Sequence, residues 1–272
     1  MRSNNPVFSR SETFARGGYG SSAAAATRGL SPAELTEMYN APTRTPVHER
    51  RMTLDSVIMR TAACFAVLLA FAGVNFVLAN PLLTFGGMIV GLVLGLVISF
   101  KQSTNPALIL GYAAIEGLFV GGISRFYDSY AGATGGSNIV LQAVIGTLAA
   151  FGSMLFVYKM GWLRATPKFT RGLLIAGGAY LLIGVASLVS SFFGVGGGWG
   201  FQGVGALGIL LCLAGVGLAT LFLILDFDFI ERGIAAGAPE RMAWLGAFGL
   251  MVTLVWLYLE ILRLLAILRG DE

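Results

Sequence analysis

The chain has 272 residues, of which 56% are hydrophobic and 12% are charged, against roughly 45–50% and about 25% in soluble domains. Its mean hydropathy is +0.78. A water-soluble protein of this size could not cover its surface with so few charged side chains. The composition therefore predicts an integral membrane protein.

The net charge of +4 does not indicate a nucleic-acid partner, because the basic residues lie mainly in the first 60 positions and in short loops between apolar runs. Cys64 and Cys212 fall in apolar runs, and neither belongs to a CxxC pair. His48 is the single histidine and lies in a polar segment. We therefore expect no disulfide framework, no metal site built on cysteine or histidine, no cofactor and no hydrolytic or metal-dependent catalysis. Whether another metal ion binds stays open, with calcium as a candidate transported ion.

Residues 1–52 are rich in glycine, serine and alanine and have no apolar periodicity, so they cannot bury a core. We expect a disordered N-terminal tail. Ser31, Pro32 and Glu34 have the arrangement that starts a helix, which either docks on a partner or the membrane or frays as a local turn. The first apolar run begins only after this tail, which is therefore not a signal peptide.

Seven apolar runs are long enough to cross about 30 Å of hydrocarbon as helices. Turn or charge signals separate them, for example Asn80-Pro81 and the glycines between residues 196 and 200. We predict an all-α membrane protein with a seven-helix transmembrane domain over residues 53–269. The runs cover residues 57–79, 82–100, 107–127, 138–158, 172–194, 203–229 and 242–268.

The distribution of basic residues predicts the orientation of the bundle. Fifteen of the eighteen lysines and arginines lie on the side of the tail, and three, Arg125, Arg263 and Arg269, lie on the other side. Positive loops face the cytoplasm, so the N-terminus is predicted to be cytoplasmic. Seven full spans put the C-terminus outside, whereas a re-entrant last helix would return it to the cytoplasm.

Ionisable side chains inside membrane segments are costly and are candidates for function. The sixth run contains a stripe of small residues three or four positions apart: Gly205, Gly208, Cys212, Gly215 and Ala219. Such stripes are packing faces of membrane helices, and seven positions further lies Asp226, which should point into the bundle. Asp228 and Glu231 face elsewhere; they are either solvated carboxylates at the cytoplasmic rim or weaker functional candidates.

Arg60 lies near the cytoplasmic end of the first run at a depth similar to that of Asp226, which predicts an Arg60–Asp226 ion pair. In the third run, Glu116 lies mid-membrane among glycines. We expect it to be protonated, and either to make a structural hydrogen bond to a neighbouring helix or to belong to a proton or ion pathway.

The seventh run shows the same spacing, which places Glu260 on its packing face. Glu260 either forms an i,i+3 ion pair with Arg263, whose side chain would snorkel toward the outer interface, or has a functional role with Arg263 as its partner in gating.

Three motifs together resemble the transmembrane Bax inhibitor motif family, also called the Bax inhibitor-1/YccA family. They are YAAIEGLFVGGIS in the third run, LILDFDFIERG closing the sixth and GLMVTLVWLYLEILRLLAIL as the seventh. The likeness covers residues 54–268, and SNNPVF, DFDFIE and VWLYLEILRLL are similar to a bacterial YccA-like branch. The resemblance implies a seven-helix bundle with a central last helix, in the inner or plasma membrane.

The resemblance also implies a calcium leak whose opening depends on pH through two aspartates on the last two helices. The first aspartate matches Asp226, but the second falls at Thr253, which cannot ionise. The nearest carboxylate on that face is Glu260, two turns further and about 10.5 Å along the helix. Asp226 and Glu260 are therefore not expected to touch, and Glu116 is the alternative partner of Glu260.

Three functions remain open. The first is a pH-sensitive cation leak channel for calcium, gated by protonation of buried carboxylates, because oxygen ligands suit a hard cation. The second is a non-conducting membrane regulator whose tail recognises a membrane protease, a stress-response partner or another membrane protein. The third is a proton-coupled transporter, for which we see no clear inverted repeat.

Overall fold

The computed structural model describes residues 50–133, 138–194, 200 and 205–270. The predicted tail up to residue 49, with its helix start at Ser31 and with His48, lies outside the described residues. Within them are seven helices long and apolar enough to span a membrane, which confirms the predicted class. They are α1 (Leu54–Leu78), α2 (Pro81–Lys101), α3 (Pro106–Ala133), α4 (Ile139–Lys159), α5 (Pro167–Phe192), α6 (Ala206–Ala235) and α7 (Met242–Gly270).

Polar caps extend two helices beyond the apolar runs that predicted them. Thr53 and Ser56 form a capping box at the start of α1, with hydrogen bonds of 3.2 and 3.1 Å between each side chain and the other's backbone N–H. The Thr166 hydroxyl accepts from the N–H of Phe169 at 3.3 Å, and Pro167 follows at the first helical position of α5. Both arrangements satisfy backbone donors that a helix start leaves free.

Helix α7 lies at the centre of the bundle, as the resemblance implied. In its 18-residue apolar stretch, 61% of the residues are buried, against 17–39% in the corresponding stretches of the other six helices. It packs against α1, α3, α4 and α6 and contributes to both hydrophobic core clusters. Its 29 unbroken residues reach roughly 43 Å, which is enough for a full span and favours that alternative over a re-entrant helix.

Helices α1 and α3 approach each other closely through glycine. A side chain at Gly121 would overlap the carbonyl oxygen of Ala72, and one at Gly117 would overlap that of Leu68. On the other side of α3, a Cβ at Gly87 of α2 would lie 3.0 Å from the oxygen of Ile115. Small residues allow such backbone contact between membrane helices, and here they join α1, α2 and α3.

One end of the bundle gathers the segments that contain nine of the thirteen lysines and arginines in the described part of the chain. The N–H of Met52, just before α1, donates to the oxygen of Ala238 in the α6–α7 loop at 2.8 Å. Arg232 near the end of α6 donates to the oxygen of Ala165 in the α4–α5 loop at 3.2 Å. We call this end the basic end. Its make-up agrees with the alternation of loops on which the charge count depends.

Candidate functional site

The candidate site is the contact between α6 and α7, which we call the α6–α7 seam. The small residues of α6 at positions 208, 212, 215 and 219 are buried, as the stripe predicted. Glu260 of α7 faces this stripe: a Cβ at Gly215 would lie 2.6 Å from its Cδ atom. Asp226 of α6 faces Gly249 of α7, where a Cβ would lie 3.0 Å from its Oδ1 atom. Both carboxyl groups therefore lie in the seam, but in different halves of it.

Asp226 is half-buried as a residue, and its carboxyl group makes few hydrogen bonds. Among the described residues, no donor reaches its Oδ2 atom, which is inaccessible to water. On α7, Gly249 and Thr253 face the carboxyl group, and the Thr253 hydroxyl interacts with it. Asp226 and Thr253, the two positions that the resemblance aligned with a pair of aspartates, are thus adjacent across the seam, and only Asp226 can ionise.

The predicted Arg60–Asp226 ion pair is wrong, because Arg60 pairs with Glu240. Nη2 of Arg60 lies 2.9 Å from Oε1 of Glu240, and its guanidinium carbon lies 5.4 Å from the centroid of the Trp244 ring. Nη1 also donates to the oxygen of Ser56, one turn closer to the basic end, at 3.4 Å. The long side chain thus extends toward water, as arginines in membrane helices usually do, and finds a carboxylate in the loop.

Glu260 is, by contrast, surrounded by donors. Its Oε1 accepts from the Tyr180 hydroxyl at 2.8 Å and from Nε1 of Trp256 at 3.2 Å, and its Oε2 is paired with Arg263. Arg263 donates further to the Tyr180 oxygen and to the Cys212 sulfur, each at 3.0 Å. We call these five residues the Glu260 cluster.

The i,i+3 alternative for Glu260 is therefore present, with one difference from expectation. The side chain of Arg263 is only 17% exposed and lies inside the cluster rather than extending to the outer interface. The reason is local: Tyr180 and Cys212 supply oxygen and sulfur acceptors within the bundle, so the guanidinium is satisfied without reaching water.

Glu116 lies elsewhere in the bundle. A Cβ at Gly91 of α2 would come within 2.8 Å of its Oε2, and it interacts with Tyr112 one turn earlier on α3. Glu260 instead has its hydrogen-bond and ion-pair partners on α5 and α7, faces Gly215 of α6, and interacts electrostatically with Tyr127 of α3. The structure therefore does not bring Glu116 and Glu260 together, nor Asp226 and Glu260.

The two weaker candidates, Asp228 and Glu231, lie near the basic end, and each has a different partner. Asp228 forms an i,i+4 ion pair with Arg232 at 2.9 Å, and Glu231 is exposed and accepts a hydrogen bond from Tyr158. Their positions match the rim alternative. In the described part of the chain, no group of three or more His, Cys, Asp or Glu residues is arranged to hold a metal ion.

Sequence reasoning missed three participants. Tyr180 is the one tyrosine of α5, and a tyrosine in the middle of a membrane run needs a partner for its hydroxyl, which was an available signal. Cys212 was recognised only as a small residue of the stripe. Glu240 had no distinguishing signal, because it is one of several charged residues in a loop.

Comparison with known proteins agrees with the three motifs. None of the curated proteins matches the chain. A family model described as Bax inhibitor 1 like matches residues 5–270, which is nearly the whole length. The chain is therefore a multi-pass membrane protein that belongs to the Bax inhibitor 1-like family.

Proposed function

We propose that this protein is a pH-sensitive leak channel for a hard cation such as calcium, and that protonation of Asp226 controls it. The observation that carries this proposal is the buried Oδ2 atom of Asp226, which accepts no hydrogen bond from any described residue. An ionised carboxylate in such surroundings is costly. Its charge state is thereby linked to how tightly α6 and α7 pack.

No described cation compensates Asp226 from the helices around it. Helix α6 packs against α1, α4, α5 and α7, and on α7 the uncharged residues Gly249 and Thr253 face the carboxyl group. Four polar or charged side chains of these helices have other partners: Arg60 of α1 with Glu240, Tyr158 of α4 with Glu231, Tyr180 of α5 with Glu260, and Asp228 of α6 with Arg232. The Thr61 hydroxyl of α1 is buried and has no hydrogen-bond partner among the described residues.

The sign of the pH response follows from this isolation. Neutral Asp226 fits the packed seam, which is the closed state. Loss of the proton leaves a charge that needs water or a cation, and it therefore favours a looser seam that both can enter. Carboxylate and hydroxyl oxygens suit a hard cation. Flux should increase as the pH rises.

The test is calcium flux into liposomes that contain the purified protein, with the same pH on both sides, from about pH 5 to about pH 8. We expect flux to increase across this range, and Asp226→Asn to give low flux at every pH. Asp228→Asn is the matched control and should keep the wild-type profile. Absence of flux at every pH would contradict the proposal and favour the non-conducting regulator of a membrane protease or stress-response partner.

We further propose that the basic end faces the cytoplasm of the inner or plasma membrane, as expected for a YccA-like protein. The support is the excess of fifteen basic residues over three, since positive segments are retained in the cytoplasm. A reporter inserted in the α4–α5 loop should read as cytoplasmic, and one inserted near residue 197 as external. The opposite pattern would reverse the orientation.

A further inference from the structure

The chain just before α1 is attached to the α6–α7 loop by its backbone. Arg51 and Pro239 form an antiparallel bridge. On either side of it, the N–H of Met52 donates to the oxygen of Ala238 at 2.8 Å, and the N–H of Glu240 donates to the oxygen of Arg50 at 2.6 Å. The bridged pair itself exchanges no hydrogen bonds, so a proline fits there although it has no N–H.

The side chain of Met52 is inserted between the ends of α6 and α7. It is 2% exposed and belongs to a core cluster. Its sulfur lies 3.1 Å from the position a Cβ would take at Gly233 of α6, and its Cε lies 3.7 Å from the corresponding position at Gly246 of α7. One glycine on each helix thus leaves the space that the methionine fills.

Met52 lies at the basic end of the same seam that holds Asp226. Gly233 follows Asp226 by seven residues on α6, and Gly246 precedes Thr253 by seven residues on α7, which is about 10.5 Å along each helix. Between these levels, Cγ1 of Ile230 lies 3.2 Å from the Cβ position of Gly246. Met52 and Ile230 therefore lie in the seam between Asp226 and the basic end.

A second contact joins α1 to the α6–α7 loop at this end of the seam, and it is partly exposed to water. The ion pair between Arg60 and Glu240 ties α1 to the loop that carries the bridge, and its two side chains are 17% and 31% exposed. Polar contacts at the membrane surface can exchange with water, whereas the helices they join are fixed by apolar packing. The segment before α1 can therefore detach without unfolding the bundle.

We propose that Arg50–Met52 is a strap that closes the basic end of the α6–α7 seam, with Met52 as its plug. Release of the strap admits water and cations to Asp226. The effect on flux depends on the proposed leak function, whereas the effect on access to the seam does not. Because the strap directly follows residues 1–49, a partner that binds those residues would act on the plug.

Access is measured with a cysteine placed beside Asp226. Thr253→Cys protein in lipid nanodiscs is labelled with a water-soluble cationic methanethiosulfonate reagent, and the parent chain with its buried Cys64 and Cys212 gives the background. Adding Met52→Ala should accelerate labelling about tenfold or more, since the opening equilibrium shifts tenfold for each ~1.4 kcal/mol of lost packing. Met59→Ala, at a position 73% exposed on α1, is the matched control and should change nothing.

A reversible cross-link tests the same closure without weakening the core. Residues opposite each other at a bridge of this type have Cα atoms about 4.5 Å apart, a separation that a disulfide can span. In Arg51→Cys/Pro239→Cys protein, oxidation should slow the labelling of a cysteine at position 253 and lower calcium flux, and reductant should restore both. The two single variants should respond to neither treatment.

The outcomes separate the two proposals. If the labelling rate depends on whether the strap is closed but no variant conducts calcium, the strap proposal stands and the leak proposal is refuted. Flux that depends on pH, with equal labelling in oxidised and reduced protein, would refute the strap. If Met52→Ala does not give a folded protein by size-exclusion chromatography, the cross-link decides alone.

Discussion

The two halves of the α6–α7 seam each contain a carboxyl group, and the two groups differ in the number of donors around them. Glu260 receives hydrogen bonds from Tyr180 and Trp256 and an ion pair from Arg263. Asp226 lies on the equivalent small-residue face, yet its Oδ2 atom receives no hydrogen bond from the described chain. Periodicity places a carboxyl group in the bundle, but the surrounding donors decide what it does there.

The difference assigns separate roles to the two groups. A buried charge that is paired and hydrogen-bonded holds its neighbours in place, and loss of one partner is strongly destabilising. A carboxyl group with few hydrogen bonds and no ion pair holds no neighbour in place, and its charge state responds to changes in the polarity of its surroundings. We therefore expect the Glu260 cluster to be structural and Asp226 to be regulatory. Variants at the two positions can break this comparison.

The largest effect is expected for Glu260→Gln. The amide cannot pair with Arg263, whose side chain stays buried and charged, and such losses cost about 3 kcal/mol of unfolding free energy. Titration of the purified protein from mild detergent into sodium dodecyl sulfate measures it. Arg263→Gln should cost a similar amount, and the double variant should lose less than the sum because the two residues share one interaction.

A mild effect of Glu260→Gln, equal to that of the rim variant Asp228→Asn, would contradict a structural role. Additive losses in the double variant would show that Glu260 and Arg263 act independently of each other.

An intermediate effect is expected from filling the two glycines that face the carboxyl groups. Gly215→Ala places a methyl group 2.6 Å from Cδ of Glu260, against a side chain fixed by several bonds, and such overpacking typically costs about 1–3 kcal/mol. At Gly249 the nearest atom is Oδ1 of Asp226 at 3.0 Å, and that side chain has fewer bonds to lose. The same detergent titration should therefore rank Gly215→Ala as the more damaging substitution.

Gly217→Ala is the control for this pair, because a Cβ there meets no atom within 4 Å and alanine favours a helix more than glycine does. It should be neutral or slightly stabilising. Equal losses at Gly215 and Gly249 would show that both carboxyl groups are held equally firmly.

What the sequence could predict depends on the range of the interaction. Apolar length gave the seven spans, and spacing by three and four gave the inward faces with Asp226 and Glu260, because both are properties of one helix. The partner of Arg60 lies 180 residues away in a loop, and no periodicity links them. Met52 was likewise assigned to the tail, because the space that it fills between Gly233 of α6 and Gly246 of α7 exists only in the folded bundle.

The smallest effect on stability is expected for Asp226→Asn, which makes the same chemical change as Glu260→Gln. In the closed seam the Asp226 carboxyl group is neutral, so the substitution removes no charge there. Its Oδ2 atom accepts no hydrogen bond from the described residues, and no cation is left unpaired because Arg60 is bound to Glu240. The amide oxygen can keep the contact with the Thr253 hydroxyl, so the unfolding free energy should stay within about 0.5 kcal/mol of the wild type, at or below the net contribution of one hydrogen bond. The same variant should nevertheless lose the pH dependence of calcium flux.

A large loss of stability would mean that Asp226 has a partner in the folded protein, and an unchanged pH profile would move the sensor to Glu116 or Glu260. Unchanged stability together with an altered pH profile is the combination expected of a carboxyl group that titrates but has no ion-pair partner.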